Sequence, residues 1–486
     1  MKRLGTIAVI AGLLLATALF YRFRPEEEPV EPPEVTTTTP DPTPVEPPAD
    51  DRPTPTTDAS ADGTLSIEAG MSHGYLASGT SDETYAAIDI EAKEVEGGAR
   101  PPLNMALVID RSGSMNGTKM QYAKRAAQRL VDELGPHDRL SIVSYSTDVS
   151  VDISSRRATE AAKASMRASI DRLGAAGGTN ISGGFTRGTQ QVQQNKSQES
   201  INRVVMLSDG RATVGTTHIP QLRQMARQSL QKGVSLTTMG VGLDYNEDLM
   251  SAMADEASGN YYFIDKPDTV VSILESEFDA LAETVARKTS LVITLPDGVE
   301  LEQLYGFSHK RTRDQVLVSL AEFQSGQTKN ILLKLRPTAD KAGKLPIMGV
   351  DLSYQDITDD KDKNHTLELA AVVTDDVEKT EEMVNTEVIS RVQQVEVANS
   401  LQVAMAAYQD GNTAQAQEQL RNQRRSLRKA REKYNLEDKS FDKADRELSG
   451  TSSNMQRSAP SSAAGKRTIK SKKARGRMIM KDKSSF

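Results

Sequence analysis

Two apolar runs, each followed by an aspartate, constrain the fold of this chain more than any other feature. The run from Leu103 to Ile109 leads into Asp110, and the run from Val204 to Leu207 leads into Ser208 and Asp209. Nearly continuous apolar strands are typical of a parallel sheet that helices cover on both faces. Between the strand-like segments, apolar residues recur every three or four positions, which indicates helices. The alternation over residues 101–288 therefore predicts a doubly wound, mostly parallel α/β sheet.

Segments on both sides of this α/β unit read as strands without intervening helices. In residues 64–100, Ile88 and Ile90 alternate with Asp89 and Glu91, and residues 289–376 contain five further strand-like segments. Such strands predict an antiparallel β-sandwich that residues 64–100 complete, with the α/β unit inserted in it.

The C-terminal part of the chain changes character twice. Residues 377–437 predict a pair of helices, broken near Gly411. Residues 438–486 are rich in Ser, Ala, Lys and Arg and show no periodicity, so we expect a disordered basic tail. Such a tail would either contact anionic surfaces or remain a solvated end.

The N-terminus predicts export. Residues 1–24 place Lys2 and Arg3 before an uncharged, largely apolar stretch from Gly5 to Phe20, the pattern of a signal peptide or of a short membrane anchor. Through this segment the protein would be anchored in a membrane and face the periplasm or the cell exterior. If the signal is cleaved, the protein would be secreted.

A spacer follows the predicted signal. Residues 25–63 form a linker rich in Pro, Thr and Glu that holds eleven of the chain's 20 prolines. This composition favours extended polyproline II and cannot bury a core. A semi-rigid spacer after an export segment favours an uncleaved anchor that holds a folded head away from the membrane.

Composition excludes several classes of protein. The chain has no cysteine, which rules out disulfides, cysteine-ligated zinc, iron–sulfur clusters and thiol nucleophiles. Its net charge of −7 argues against a protein built for nucleic acid, so no nucleic-acid partner is expected. Its five histidines are scattered without the spacing of a zinc protease.

Oxygen-bearing side chains cluster where the buried strands end. Asp110, Ser112 and Ser114 follow the first run, Asp209 follows the second, and Thr179 lies in a glycine-rich loop between them. The carboxyl ends of parallel strands form the binding crevice of such sheets, so we expect the three loops to converge. Two carboxylates and three hydroxyls suit Mg²⁺ best, with Mn²⁺ or Ca²⁺ possible in its place, and leave the cation able to accept an acidic group from a partner.

These residues, in this order across three loops, resemble the metal-ion-dependent adhesion site of von Willebrand factor type A domains. The frame of strands is similar to that of bacterial exported proteins of this kind, of inter-α-trypsin-inhibitor heavy chains and of calcium-activated chloride channel regulators. The resemblance implies that Ser112 and Ser114 bind the metal directly and that Asp110 and Asp209 act directly or through water. It also implies that Thr179 is a ligand in one conformational state only.

The sequence thus predicts a binding protein rather than an enzyme, in which a divalent cation coordinates an Asp or Glu of a protein partner. One alternative is an envelope scaffold with a structural metal site. A metal-dependent phosphohydrolase is less favoured, because Ser112 stands where such sites generally place a second carboxylate. In a further alternative the site is unused and its aspartates only cap helices and turns.

Overall fold

The structure, a computed structural model, describes residues 57–95, 100–436 and 439–481. The predicted signal or anchor at 1–24 and the linker up to residue 56 lie outside these residues. Within the three described ranges, no helix is both long and apolar enough to cross a membrane.

The described residues form seventeen strands and ten helices longer than a single turn. The strands are β1 Thr57–Asp62, β2 Leu65–Met71, β3 Tyr75–Ala77, β4 Thr84–Ala92, β5 Leu103–Asp110, β6 Arg139–Tyr145, β7 Val149–Arg157, β8 Ile201–Ser208, β9 Ser235–Val241, β10 Tyr261–Ile264, β11 Thr284–Thr294, β12 Val299–Leu304, β13 His309–Arg311, β14 Gln315–Gln324, β15 Thr328–Pro337, β16 Gly343–Asp356 and β17 Asp362–Thr374. The helices are α1 Thr118–Glu133, α2 Glu160–Asp171, α3 Ile181–Gln194, α4 Ile219–Gln231, α5 Glu247–Glu256, α6 Val270–Ala282, α7 Thr386–Gln409, α8 Thr413–Tyr434, α9 Lys439–Arg457 and α10 Ala463–Lys481.

The α/β domain contains a six-stranded sheet in the order β10-β9-β8-β5-β6-β7, in which only β7 runs antiparallel. Every residue of β5 and β8 is buried, as their apolar sequences predict. Helices α1, α2 and α6 pack on one face of the sheet, and α3, α4 and α5 pack on the other. The prediction of a doubly wound, mostly parallel sheet is confirmed.

The strands on either side of the α/β domain form one sandwich. One sheet has the order β1-β2-β4-β15-β12, and the other has the order β13-β14-β11-β16-β17-β3. Strand β4, before the α/β domain, pairs with β15, after it, so that Ile88 lies opposite Ile331. The α/β domain is therefore an insertion in the sandwich, as the alternation of Ile88 and Ile90 with charged residues indicated.

Two boundaries differ from those expected. The linker ends at residue 56 rather than 63, because β1 pairs with β2 and places Ser60 opposite Ile67. The sandwich resumes at Thr284 rather than 289, because Val285 and Ala286 leave the helical stripe of α6 and are buried in the sandwich core.

The expectation of a disordered tail over 438–486 is wrong for residues 439–481, which form helices α9 and α10. In α9, Phe441, Ala444, Leu448 and Met455 follow a helical spacing and are buried against α7 and α8. The apolar stripe is sparse and lies among many charges, so low hydrophobicity concealed it. The C-terminal region thus contains four helices instead of the expected pair.

Ion pairs fix helix α10 on the α/β domain. Each of its eight Lys and Arg residues lies next to a carboxylate, and six of these carboxylate contacts reach residues 244–265 of the α/β domain. The pairs are Lys466–Asp244, Arg467–Asp265, Lys470–Glu247, Lys472–Glu447, Lys473–Asp248, Arg475–Glu447, Arg477–Asp255 and Lys481–Asp255. These cations are held inside the molecule, so contact of the tail with anionic surfaces is not carried forward.

A buried arginine joins the α/β domain to the sandwich. Arg203 on β8 is 2% exposed, and its guanidinium donates to Glu277 on α6 at 3.1 Å and to Glu322 on β14 at 2.6 Å. Glu277 is 1% exposed and also accepts hydrogen bonds from Asn260 and Tyr262. Burial lowers the pKa of Arg203, but Glu322 and Glu277 outweigh this effect and raise the pKa above its ordinary value.

We predict that Arg203→Met lowers the free energy of unfolding by about 3–5 kcal/mol, because it leaves two carboxylates without their counter-ion, one of them fully buried. Denaturant unfolding followed by circular dichroism measures the change. Arg129→Met is the matched control, because Arg129 pairs with Glu275 at the surface and its loss should change stability little. Equal effects of the two substitutions would contradict the structural role of Arg203.

We predict that α10 resists trypsin although it contains eight cleavage sites. The reason is that its ion pairs keep it helical and docked, whereas a disordered tail would be trimmed at once. Mass spectrometry of the C-terminus over time measures cleavage within residues 463–480. Cleavage should accelerate at 1 M NaCl, where the Debye length is only about 3 Å. Cleavage at the rate of an unfolded peptide in low salt would show that the helix is not docked.

Candidate metal centre

Three loops meet at the carboxyl ends of the central strands β5 and β8. The loop after β5 and the loop before α3 are joined by backbone hydrogen bonds, from Gly113 N to Gly177 O at 3.0 Å and from Ala176 N to Arg111 O at 2.7 Å. The loop after β8 is joined to the same region by the hydrogen bond from Thr213 N to the carbonyl of Thr179 at 2.9 Å. The predicted convergence of the three loops is present.

Asp110 lies at the end of β5 and has no exposed surface. One of its carboxylate oxygens accepts the backbone N–H of Ser112 at 2.8 Å, and the other accepts the hydroxyl of Ser208 at 2.6 Å. Burial raises the pKa of Asp110, while the hydrogen bonds from Ser208 and Ser112 oppose that rise. These contacts fix the orientation of the carboxylate before any ligand is present.

Ser112, Ser114 and Asp209 form a chain of hydrogen bonds. The hydroxyl oxygens of Ser112 and Ser114 are 3.1 Å apart, and the hydroxyl of Ser114 donates to Oδ1 of Asp209 at 2.7 Å. Ser112 is 2% exposed and Asp209 is fully buried. Both residues therefore hold their oxygens inside the cluster.

Thr179 closes the cluster from the loop before α3. Its backbone N–H donates to the hydroxyl of Thr213 at 2.9 Å, and the residue is buried. A Cβ placed on Gly210 would lie 3.1 Å from Oγ1 of Thr179 and 3.6 Å from Oγ of Ser114. The backbone at Gly210 thus lies close to both hydroxyls, and the absence of a side chain there permits the approach.

The structure brings together all five residues singled out in the sequence, but it adds three that sequence reasoning missed. Ser208 and Lys119 bind the two carboxylates of the site, and Nζ of Lys119 lies 2.5 Å from Oδ2 of Asp209. The buried phenol of Tyr145 has a pKa well above its ordinary value because of burial and the nearby charge of Asp110. Ser208 was visible as the neighbour of Asp209. Lys119 carried no signal, because a lysine in the first turn of a helix is ordinarily solvated.

The donor set fits a hard divalent cation. It offers two carboxylates and three hydroxyls, all of them oxygen, and Lys119 already places a positive charge against Asp209. In the described part of the chain, no three His, Asp or Glu side chains gather as a metal-binding group. Any cation at this site therefore depends on the serine and threonine hydroxyls as well as on Asp110 and Asp209.

Comparison with known proteins agrees with this geometry. Residues 104–276 match the family model of the von Willebrand factor type A domain. The chain contains a von Willebrand factor type A domain. The metal-centre residues Asp110, Thr179 and Asp209 all lie within the matched range, and the type A domain ends before the sandwich resumes.

Two relatives match mainly through this region. YfbK from Escherichia coli (strain K12) is 30% identical over 266 residues, which is 53% of this chain and 46% of YfbK. Inter-alpha-trypsin inhibitor heavy chain H2 from Mus musculus is 30% identical over 166 residues, which is 32% of this chain and 17% of its own. The matches thus span less than half the length of these curated relatives.

Two solved structures share the fold beyond the type A domain. A von Willebrand factor type A protein from Catenulispora acidiphila superposes with a TM-score of 0.66 at 16% identity, covering 86% of this chain and 97% of that one. The ArnB paralog VWA2 from Sulfolobus acidocaldarius gives a TM-score of 0.58 at 17% identity, covering 86% and 98%. At these identities the likeness shows the fold alone.

We predict that Ser208→Ala lowers the free energy of unfolding by about 1–3 kcal/mol, because it removes a donor from the buried carboxylate of Asp110. Urea unfolding without metal measures the change. Ser165→Ala is the control, since its exposed hydroxyl bonds only the carbonyl of Ala161 within its own helix. If Ser208→Ala is as stable as that control, the carboxylate does not depend on Ser208.

Proposed function

We propose that this protein is an exported, membrane-anchored binding protein whose type A domain holds an acidic group of a protein partner through Mg²⁺ or a similar divalent cation. The observation that supports this most is the convergence of two buried carboxylates and three hydroxyls at one edge of the sheet. Export and anchoring are supported by the sequence of residues 1–24 and of the linker.

Each residue of the cluster has a distinct task in this proposal. Ser112 and Ser114 would contact the cation directly. Asp110 and Asp209 would neutralise its charge and orient the two serines, directly or through water. Thr179 would join the set in one conformational state. A divalent cation bound here supplies a positive centre that attracts a carboxylate, which is a binding chemistry that requires no catalytic base.

The surroundings of the cluster support binding over catalysis. The only base that the structure places against the two carboxylates, within the described residues, is the Lys119 ammonium, and it acts there as a counter-ion. His218, the histidine nearest the metal loops in sequence, caps the start of α4. A general acid–base pair of the kind that hydrolases use is therefore not what the site offers.

We predict that removal of the metal and Asp110→Ala each abolish capture of the partner. Full-length protein, purified in detergent, is used to capture proteins from an envelope extract with Mg²⁺ or with EDTA. Asp171→Ala is the control, because Asp171 is an exposed carboxylate at the end of α2. Circular dichroism confirms that each variant is folded.

Two outcomes would contradict the proposal. Partners that persist both with EDTA and with Asp110→Ala would favour an envelope scaffold whose metal site is structural. Metal-dependent turnover of a phosphate ester by wild type, lost in Asp110→Ala, would favour a phosphohydrolase instead.

A further inference from the structure

Lys119 occupies the place next to Asp209 that a metal ion would also require. Its Nζ lies 2.5 Å from Oδ2 of Asp209, whose other oxygen accepts the hydroxyl of Ser114. Asp209 is fully buried, whereas the Lys119 side chain is 25% exposed. Without a bound cation, the ammonium thus neutralises a carboxylate that would otherwise be buried and unpaired.

A divalent cation and the Lys119 ammonium compete for the same carboxylate. Two positive charges a few ångströms apart in a poorly solvated site repel each other strongly. Because Lys119 is partly exposed and long, it can leave by rotating its side chain, while Asp209 cannot move without breaking the hydrogen bond from Ser114. The lysine is therefore the group that moves.

An acceptor for the displaced ammonium lies nearby. A Cβ placed on Gly242 would be 3.6 Å from Nζ of Lys119, and Asp244 follows two residues later. The hydrogen bond from Lys466 is the main cause that lowers the pKa of Asp244, and the charge of Lys119 lowers it further. The Asp244 side chain is 71% exposed, so it is free to turn between the two lysines.

We propose that Lys119 is a built-in competitor of the metal, which holds Asp209 when no divalent cation is bound and turns to Asp244 when one binds. The proposal rests on the proposed function of the site. It adds a residue that sets the affinity for the metal and a route by which the metal reaches the C-terminus. That route exists because Asp244 also anchors Lys466 in the first turn of α10, at 2.8 Å.

The first test measures metal affinity in the full-length protein. Lys119→Met removes the charge and keeps the length of the side chain, and isothermal titration with Mg²⁺ and Mn²⁺ gives the dissociation constant. We expect it to fall roughly tenfold, the effect of removing one charge-assisted competitor. Lys124→Met on the same helix is the control, because Lys124 bonds the carbonyl of Asp171, and we expect no change. An unchanged or weaker affinity in Lys119→Met overturns the proposal.

The second test asks whether Asp244 receives the ammonium. Asp244→Asn should raise the dissociation constant for Mg²⁺ in the wild-type background, because Lys119 then has no alternative partner. In the Lys119→Met background the same substitution should have no effect, and the double-mutant cycle isolates the coupling. Equal weakening in both backgrounds would mean that Asp244 acts on the metal through its own charge, which overturns the exchange.

The third test follows the C-terminal helix. Mg²⁺ should speed hydrogen exchange of residues 463–470 in wild type and leave it unchanged in Lys119→Met, because only the displaced lysine competes with Lys466. The same response in both proteins overturns the coupling to α10.

The failure of this proposal differs from failure of the proposed function. If wild type binds Mg²⁺ and Lys119→Met binds it equally, the competition is absent while partner capture through the metal still stands. If neither protein binds Mg²⁺ or Mn²⁺, both proposals are overturned. If metal affinity responds to Lys119→Met but no partner needs the metal, the competition stands and the proposed function fails.

Discussion

The arrangement of the molecule depends on one buried guanidinium. Arg203 leaves the central strand β8 and binds Glu277 of the type A domain and Glu322 of the sandwich at once. A charge with so little access to water is tolerated only when it is fully paired, so the two domains must meet with both carboxylates in place. This requirement sets the position of the type A domain within the strands that frame it.

The same strand then carries the structure to the metal centre. Arg203 lies near the start of β8 and Asp209 just after its end, roughly 20 Å away at the ordinary rise of a strand. One end of β8 is fixed to the sandwich, and the other end presents oxygen ligands at the opposite edge of the sheet. The metal centre is consequently held by a rigid strand while its surface stays clear of the domain interface.

Electrostatic pairing also explains the C-terminus. Helix α10 has little apolar surface of its own, with Ile469 and Ile479 among its few buried apolar residues. Its cations meet Asp244, Asp248 and Asp255, which are presented by the type A domain. An acidic surface and a basic helix that are far apart in sequence thus complete each other, and they bring the end of the chain close to the metal loops.

The sequence alone determined the fold class and the five residues of the candidate site, Asp110, Ser112, Ser114, Thr179 and Asp209. Hydrophobic period is a local property, and strand ends follow from it, so the residues that meet at the edge of a parallel sheet can be predicted. Tertiary structure alone decided the order of helix α10, the pairing of Lys119 with Asp209 and the junction at Arg203. These features depend on charges that lie up to hundreds of residues apart, and a charged side chain shows its partner only when the fold brings the two together.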